Sequence, residues 1–510
     1  MAPLVEPEWP TERPSYDSLE ACVQAEASRW NVPGIAVGVL QDGHVESLAF
    51  GVTSIDTRQP VSPDTIFQIG SISKVFTATL VMQLVDEGVL DLDVPVVTYL
   101  PDLELADAGA RASITLRQLL AHFSGLEGDR FLDYGRGDDG LAAAVATYGT
   151  LRQWVPPGRL WTYSNAGFSL AGRVVEAVTG EIFEAVIKAR LFDPLGLERT
   201  VFFAEDAITW PHAVGHLLPS RTSGHTVARP YSFPRSINPA GGIVSSTAEL
   251  LRFASLHIGD GVVDGQRLLP VAAVRAMREP LTEAGNFGRS YGIGWSVWDV
   301  DGVRIVDHGG ATRGFRAQLT VVPDRGFALA QLTNGEPGAQ AMAEIEAWAL
   351  GHYRGIAKQT DRPVVDLAPA ALEAFAGVYE RHDGRYDVTV DGGRFLVEVT
   401  EIDEETGTEE QRPSLLLEPV GVRRFRSVRG PTKDGIVDFL SVDTDGRPAG
   451  LDGGAAGSSG AAGPSTDGEA PTSDEGKPRA LMRLGGRLSE RTPPSPPRDH
   501  DRDHEGKRGP

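Results

Sequence analysis

Apolar residues recur along this chain at two different spacings, and the places where the spacing changes divide it into elements. Tyr16 to Trp30 mixes apolar and polar residues as an amphipathic helix does, with Ser15 in front as a cap and Asn31-Val32-Pro33-Gly34 behind as a breaker. Ile35 to Leu40 is apolar and rich in β-branched residues, Asp42-Gly43 is a tight-turn signal, and Val45 to Val52 returns, so a hairpin is predicted. After Asp64 to Gly70, the residues Val75, Leu80, Val81, Leu84 and Val85 supply one face of a helix whose N-terminus holds Ser71. Helices are also predicted over Thr115 to Ala121, Asn165 to Thr179 and Thr247 to His257. Strands are predicted over Ile293 to Val300, Arg304 to Asp307, Gln318 to Val322 and Phe327 to Thr333. Strands at both ends of a region with helices between them imply one sheet flanked by helices, an α/β (α+β) arrangement.

From about Asp361 the pattern turns to short strand-like runs: Phe375 to Glu380, Tyr386 to Val390, Phe395 to Val399, Leu415 to Pro419, Arg424 to Val428 and Val437 to Val442. That is the pattern of a second, all-β module. Residues 453–478 carry almost no large apolar side chains and are expected to be a flexible insertion, with Ala480 to Leu488 as a last strand. The expected organisation is therefore a lead over 1–14, a catalytic domain over 15–360, a β domain over 361–490 and a charged, disordered tail over 491–510.

At 510 residues the chain has room for one large core and a further module. Its formal charge of -22, from 70 acidic against 48 basic residues, repels phosphate backbones and makes nucleic acid an unsuitable partner. No stretch reaches the roughly 18 to 20 apolar residues that a membrane span requires. The start, MAPLVEPEWPTERPSYDSLE, lacks the basic and apolar regions of an export signal, so a cytoplasmic location is expected. Cys22 is the single cysteine and reads as a small buried hydrophobe.

The chemistry concentrates in three short patterns. Ser71-Ile72-Ser73-Lys74 puts a hydroxyl and an amine one helical turn apart on the same face. A serine hydroxyl attacks a carbonyl only when a base takes its proton, and the helix N-terminus adds positive potential and free N–H groups, so Ser71 N–H is a candidate half of an oxyanion hole. The chain has six lysines, and only Lys74 has a serine three residues before it. Tyr163-Ser164-Asn165, after the Pro156-Pro157-Gly158 turn, is the only Tyr-x-Asn. Tyr163 could serve as general base, and Asn165 could bond both a substrate amide and Lys74. His308-Gly309-Gly310-Ala311 is expected to follow a strand ending at Asp307, with glycines that let a substrate approach the backbone. His257-Ile258-Gly259 has the same His-x-Gly spelling but closes a helix and is read as structural.

Ser-x-x-Lys, Tyr-x-Asn and His-x-Gly in this order resemble the class C beta-lactamase family, taken broadly to include penicillin-binding proteins, serine esterases, D-aminopeptidases and D-alanyl-D-alanine carboxypeptidases. Leu119 to Leu126 (LLAHFSGL), Ala240 to Ser245 (AGGIVS) and Tyr291 to Trp295 (YGIGW) agree with it, and the likeness covers about residues 15 to 355. The resemblance implies an antiparallel sheet flanked by helices and an acyl-enzyme on Ser71. It also implies proton transfer by Lys74 and Tyr163, an oxyanion hole from the N–H groups of Ser71 and Ala311, and supporting roles for Asn165, His308 and Gly310. His308 stands where true class C beta-lactamases have the lysine of Lys-Thr-Gly, and His-x-Gly is similar to the esterase and aminopeptidase branches. A neutral histidine there could bond Tyr163 or substrate but gives no permanent cation at pH 7, which argues against efficient beta-lactam hydrolysis. Phe375-Ala376-Gly377-Val378-Tyr379 resembles the opening of a lipocalin-like β domain appended to some relatives.

The expected activity is cleavage of an ester, amide or peptide without metal or cofactor, with the oligomeric state open. Beta-lactamase, D-alanyl-D-alanine carboxypeptidase, acyltransferase and catalytically silent receptor remain alternatives. Gly167-Phe168-Ser169-Leu170-Ala171 approaches the α/β-hydrolase elbow, but it lies within a helical pattern rather than at a strand-to-helix turn. His500 and His504 form at most a weak chelating pair.

Overall fold

The computed structural model describes residues 15–218, 224–284, 289–357, 363–404, 406–429, 435–443, 445–447 and 479–492. The chain divides into two units, Met1–Asp361 and Arg362–Pro510. The expected lead, the flexible insertion and all but the first two residues of the charged tail lie outside the described residues.

The first unit is organised by an eight-stranded sheet. Its order is His44–Gly51, Gly34–Gln41, Phe327–Thr333, Phe315–Val322, Val303–Thr312, Ser296–Val300, Ser290–Tyr291 and Thr282–Glu283, with every neighbouring pair antiparallel. The turn between the first two strands in the chain has positive φ at Asp42 (49°) and Gly43 (83°), the backbone that tight hairpins demand. Gly34–Gln41 is apolar and buried up to Leu40 because both its faces are covered. Ile35, Val37 and Val39 pack on the helices Leu19–Arg29 and Gly338–Arg354, whereas Ala36 and Leu40 join the core that holds the helix Ser73–Asp86.

The N-terminal helix begins at Leu19 rather than Tyr16, because Ser18 and not Ser15 accepts the orphan N–H of Ala21. Cys22 is buried on its inner face, and burial pushes its thiol up to about 12. Among the described residues no helix is long and apolar enough to cross a membrane.

The second unit is a closed barrel of eight antiparallel strands in chain order, from Gly377–Arg381 to Arg487–Arg491, sealed by pairing Tyr379 with Arg491. The stretch expected as one strand over Ala480 to Leu488 is two, Arg479–Leu484 and Arg487–Arg491, because Gly485 and Gly486 turn the chain with φ of 58° and 83°. The barrel is filled rather than hollow. Phe375, Phe395, Phe425 and Phe439 meet at its centre with ring centroids 4.7 to 6.4 Å apart.

Candidate active site

Ser71 lies on a single 3₁₀ turn, Gly70–Ile72, that feeds directly into the helix Ser73–Asp86. The neighbouring Ser73 is fully buried and structural: its hydroxyl donates to the Gly70 carbonyl (2.7 Å) and accepts from Ile243 N–H (3.1 Å). Ser71 itself is partly exposed, and Lys74, one turn on, is fully buried. A buried ammonium must be surrounded by acceptors. Lys74 Nζ donates to Ser71 Oγ at 3.0 Å, Asn165 Oδ1 at 2.6 Å and the Ala240 carbonyl at 2.6 Å. The Tyr163 ring stands 4.9 Å from the same nitrogen. Asn165 is placed by the start of its helix, Asn165–Thr179, where Ser164 caps the Gly167 N–H at 3.0 Å.

His308, Gly310 and Ala311 come from the sheet. The expected strand end at Asp307 is incorrect: the strand runs on through the motif, Val303–Thr312, and its glycines are there for close approach rather than to stop pairing. A Cβ on Gly310 would stand 1.9 Å from the Ile69 carbonyl oxygen, and one on Gly70 would stand 2.7 Å from Ala311 N. Two residues without side chains thus bring the nucleophile's turn and the strand's Ala311 together main chain to main chain. Asp307 anchors the strand just before, paired with Arg289 and bonded by Trp298 Nε1 at 2.7 Å.

The ring of His308 is bonded through Nε2 to the Tyr291 hydroxyl at 2.9 Å and through Nδ1 to the Gly309 carbonyl at 2.6 Å; the expected partners were Tyr163 or substrate, and Tyr291 is the tyrosine it meets. The Gly309 carbonyl can only accept, which places the imidazole proton on Nδ1 and makes Tyr291 the donor to Nε2. Burial, reinforced by the charge of Lys74, pushes His308 down to about 3, so it is neutral at pH 7. His257 is also buried and depressed to about 3, but it packs on Phe253 and Trp295, away from these groups. Ser169 is buried in mid-helix and bonded to the Ser236 carbonyl (2.8 Å), as the rejection of a hydrolase elbow required.

Three residues beside the site were not singled out from the sequence. Asp129, buried, accepts from Asn165 Nδ2 at 2.5 Å and so fixes which end of that amide faces Lys74. Tyr291 orients His308, and His122 stacks on Tyr163 with ring centroids 4.1 Å apart. His122 and Tyr291 lie inside segments that carried the family resemblance, which was their only signal; Asp129 had none.

Residues 19–352 match the model of the Beta-lactamase family. The chain belongs to the beta-lactamase family. It is a serine hydrolase of the peptidase or esterase kind, as are the members of this family to which it is similar. Penicillin-binding protein 4 of Amycolatopsis lactamdurans is 38% identical over 360 residues, covering 69% of this chain and 94% of that protein. A D-aminopeptidase of Gluconobacter oxydans is 27% identical over 71% of this chain and 67% of its own length. The unguisins hydrolase of Aspergillus campestris is 26% identical, over 61% of this chain and 60% of that protein. Among solved structures, SurE superposes with a TM-score of 0.68 at 27% identity, covering 93% of this chain and 99% of SurE, and SurE has also been solved with D-Leu, with a TM-score of 0.65.

Proposed function

We propose that the protein cleaves amides or esters of D-configured amino acids through an acyl-enzyme on Ser71. The observation that carries this reading is the buried Lys74 ammonium, held between Ser71 Oγ, Asn165 Oδ1 and the Ala240 carbonyl. With its ammonium donating to Ser71 Oγ, Lys74 orients the serine oxygen while Tyr163, as the phenolate that the neighbouring ammonium stabilises, takes its proton and becomes the neutral phenol. Ser71 Oγ then attacks the substrate carbonyl, and the resulting oxyanion is met by the N–H groups of Ser71 and Ala311. The carbon–leaving-group bond breaks as Tyr163 returns the proton to the leaving group, and water repeats the sequence on the acyl-enzyme. Asn165 binds the substrate amide, and Gly310 admits the oxyanion to the strand.

D-configuration is supported by the D-aminopeptidase relatives and by the SurE complex with D-Leu. His308 offers no cation to a beta-lactam carboxylate at pH 7, which favours a peptidase or esterase over a lactamase. The test is labelling by a fluorophosphonate probe, read by intact mass, with turnover of D- and L-alanine p-nitroanilide and of p-nitrophenyl acetate. Labelling and turnover are expected in the wild type, faster for D than L, and absent from Ser71→Ala. Equal labelling of the mutant would overturn the nucleophile, and a preference for L would overturn the substrate class.

A further inference from the structure

Tyr163 sits on a loop, yet proton transfer demands a fixed oxygen. One residue on a neighbouring segment touches this stretch at three points. His122 follows the short helix Leu116–Leu120 and is fully buried. Its carbonyl accepts from Thr162 N–H at 2.9 Å, and its Nδ1 accepts from Ser164 N–H at 3.1 Å. These are the peptide N–H groups of the two residues that flank Tyr163. Between those two bonds the imidazole lies against the phenol ring, centroids 4.1 Å apart and planes inclined at 34°. His122 makes these contacts with φ of +55°, a conformation that a residue with a Cβ adopts at a cost. The same ring meets Tyr291 at 4.9 Å, the residue that holds His308, so one side chain touches both the proton-handling tyrosine and the support of the strand motif.

We propose that His122 is a positioning residue for Tyr163. It clamps the peptide on both sides of the tyrosine and sets the tilt of the phenol, and so fixes the oxygen that receives the proton of Ser71. The inference rests on Tyr163 handling that proton. Accepting from a backbone N–H at Nδ1 requires the imidazole proton to be on Nε2, so the clamp needs the uncharged ring in that tautomer.

The experiment compares His122→Ala, His122→Asn and Tyr163→Phe in the full chain, by steady-state turnover of p-nitrophenyl acetate and by thermal melting. Asparagine places Oδ1 where Nδ1 stood and tolerates positive φ, so it restores the clamp without the stacked ring. For a folded His122→Ala, kcat is expected to fall about 100-fold with KM within about threefold of wild type, and His122→Asn is expected to recover to within about tenfold of wild type. A folded His122→Ala with kcat within about twofold of wild type overturns the inference, as does a folded His122→Asn no better than His122→Ala. Where His122→Ala does not fold, His122→Asn decides alone: near-wild-type kcat supports the clamp, and loss as deep as that of Tyr163→Phe overturns it. Failure of both variants to fold makes His122 a determinant of the fold and overturns the assignment. If Tyr163→Phe itself keeps wild-type kcat, the proton-handling role of Tyr163 falls, an outcome distinct from failure of the clamp alone.

Discussion

The surroundings of Ser71 and the centre of the barrel are opposite kinds of interior, although both units also hold ordinary cores. Around Ser71 the first unit buries Lys74, Asp129, Asn165, His122 and His308, joined by hydrogen bonds and by the rings of Tyr163 and Tyr291, whereas the barrel fills its centre with phenylalanines. An apolar interior stabilises by area removed from water and by dispersion. A polar one starts from a desolvation penalty that its hydrogen bonds have to offset, and each group then depends on its neighbours. The difference teaches where to look for chemistry: the costly interior is the one retained for a purpose other than stability.

Substitutions can break that contrast, and the largest effect is expected at Ser71. Ser71→Ala should lower kcat/KM by about 10⁴-fold or more while leaving the melting temperature unchanged or raised, measured by turnover and calorimetry in parallel. Melting that falls with activity would mean the serine is part of the scaffold. In the barrel the signs reverse: Phe425→Ala should cost about 3–5 kcal/mol of that unit's stability in urea, because the cavity it leaves is lined by three other rings. A loss below about 1 kcal/mol would show that the barrel interior collapses around the gap.

The buried histidines sharpen the comparison through pH. His308 and His257 are both held near 3 when folded and return to about 6.5 on unfolding, so the unfolded chain binds more protons between those values. Their contribution is constant above pH 6.5 and is lost as pH falls toward 3, by at most about 1.4 kcal/mol per pH unit for each. The urea midpoint of the first unit should therefore drop between pH 6.5 and 4, with a shallower slope in His257→Leu. An identical slope would mean that His257 is not neutral in the fold. The smallest effect is expected at Asp129. Asp129→Ala should lower kcat about tenfold by releasing the Asn165 amide, and Asp129→Asn should restore most of it, since its carbonyl can still accept from Asn165 Nδ2. Equal rates in all three proteins would remove Asp129 from the site.

The strands and helices that build the two interiors were legible to different depths. Asp42-Gly43 announced its hairpin, and Asn165 to Thr179 was delimited as a helix without error, because turn chemistry and apolar spacing are local signals. The paired glycines were misread twice in opposite senses. Gly309-Gly310 suggested an end to a strand that continues, and Gly485-Gly486 turn a chain that was expected to run straight. What decides between the two is the distant segment that approaches Gly310, and no local pattern contains it. The Ser71, Lys74, Tyr163 and Asn165 cluster was legible because its spacing is chemical. Asp129 was not, since a lone aspartate on a loop looks like any other until its amide partner folds onto it.

The contact of Gly70 with Ala311, and of Gly310 with Ile69, also bears on redesign. Where side chains separate two elements, the gap can be tuned by exchanging a residue for a larger or smaller one. Here the gap is the thickness of two bare backbones, already at its minimum, and no substitution can narrow it while any would force it open. An engineer seeking a new substrate has no adjustment available at that joint, and altered selectivity has to be introduced through the walls around it.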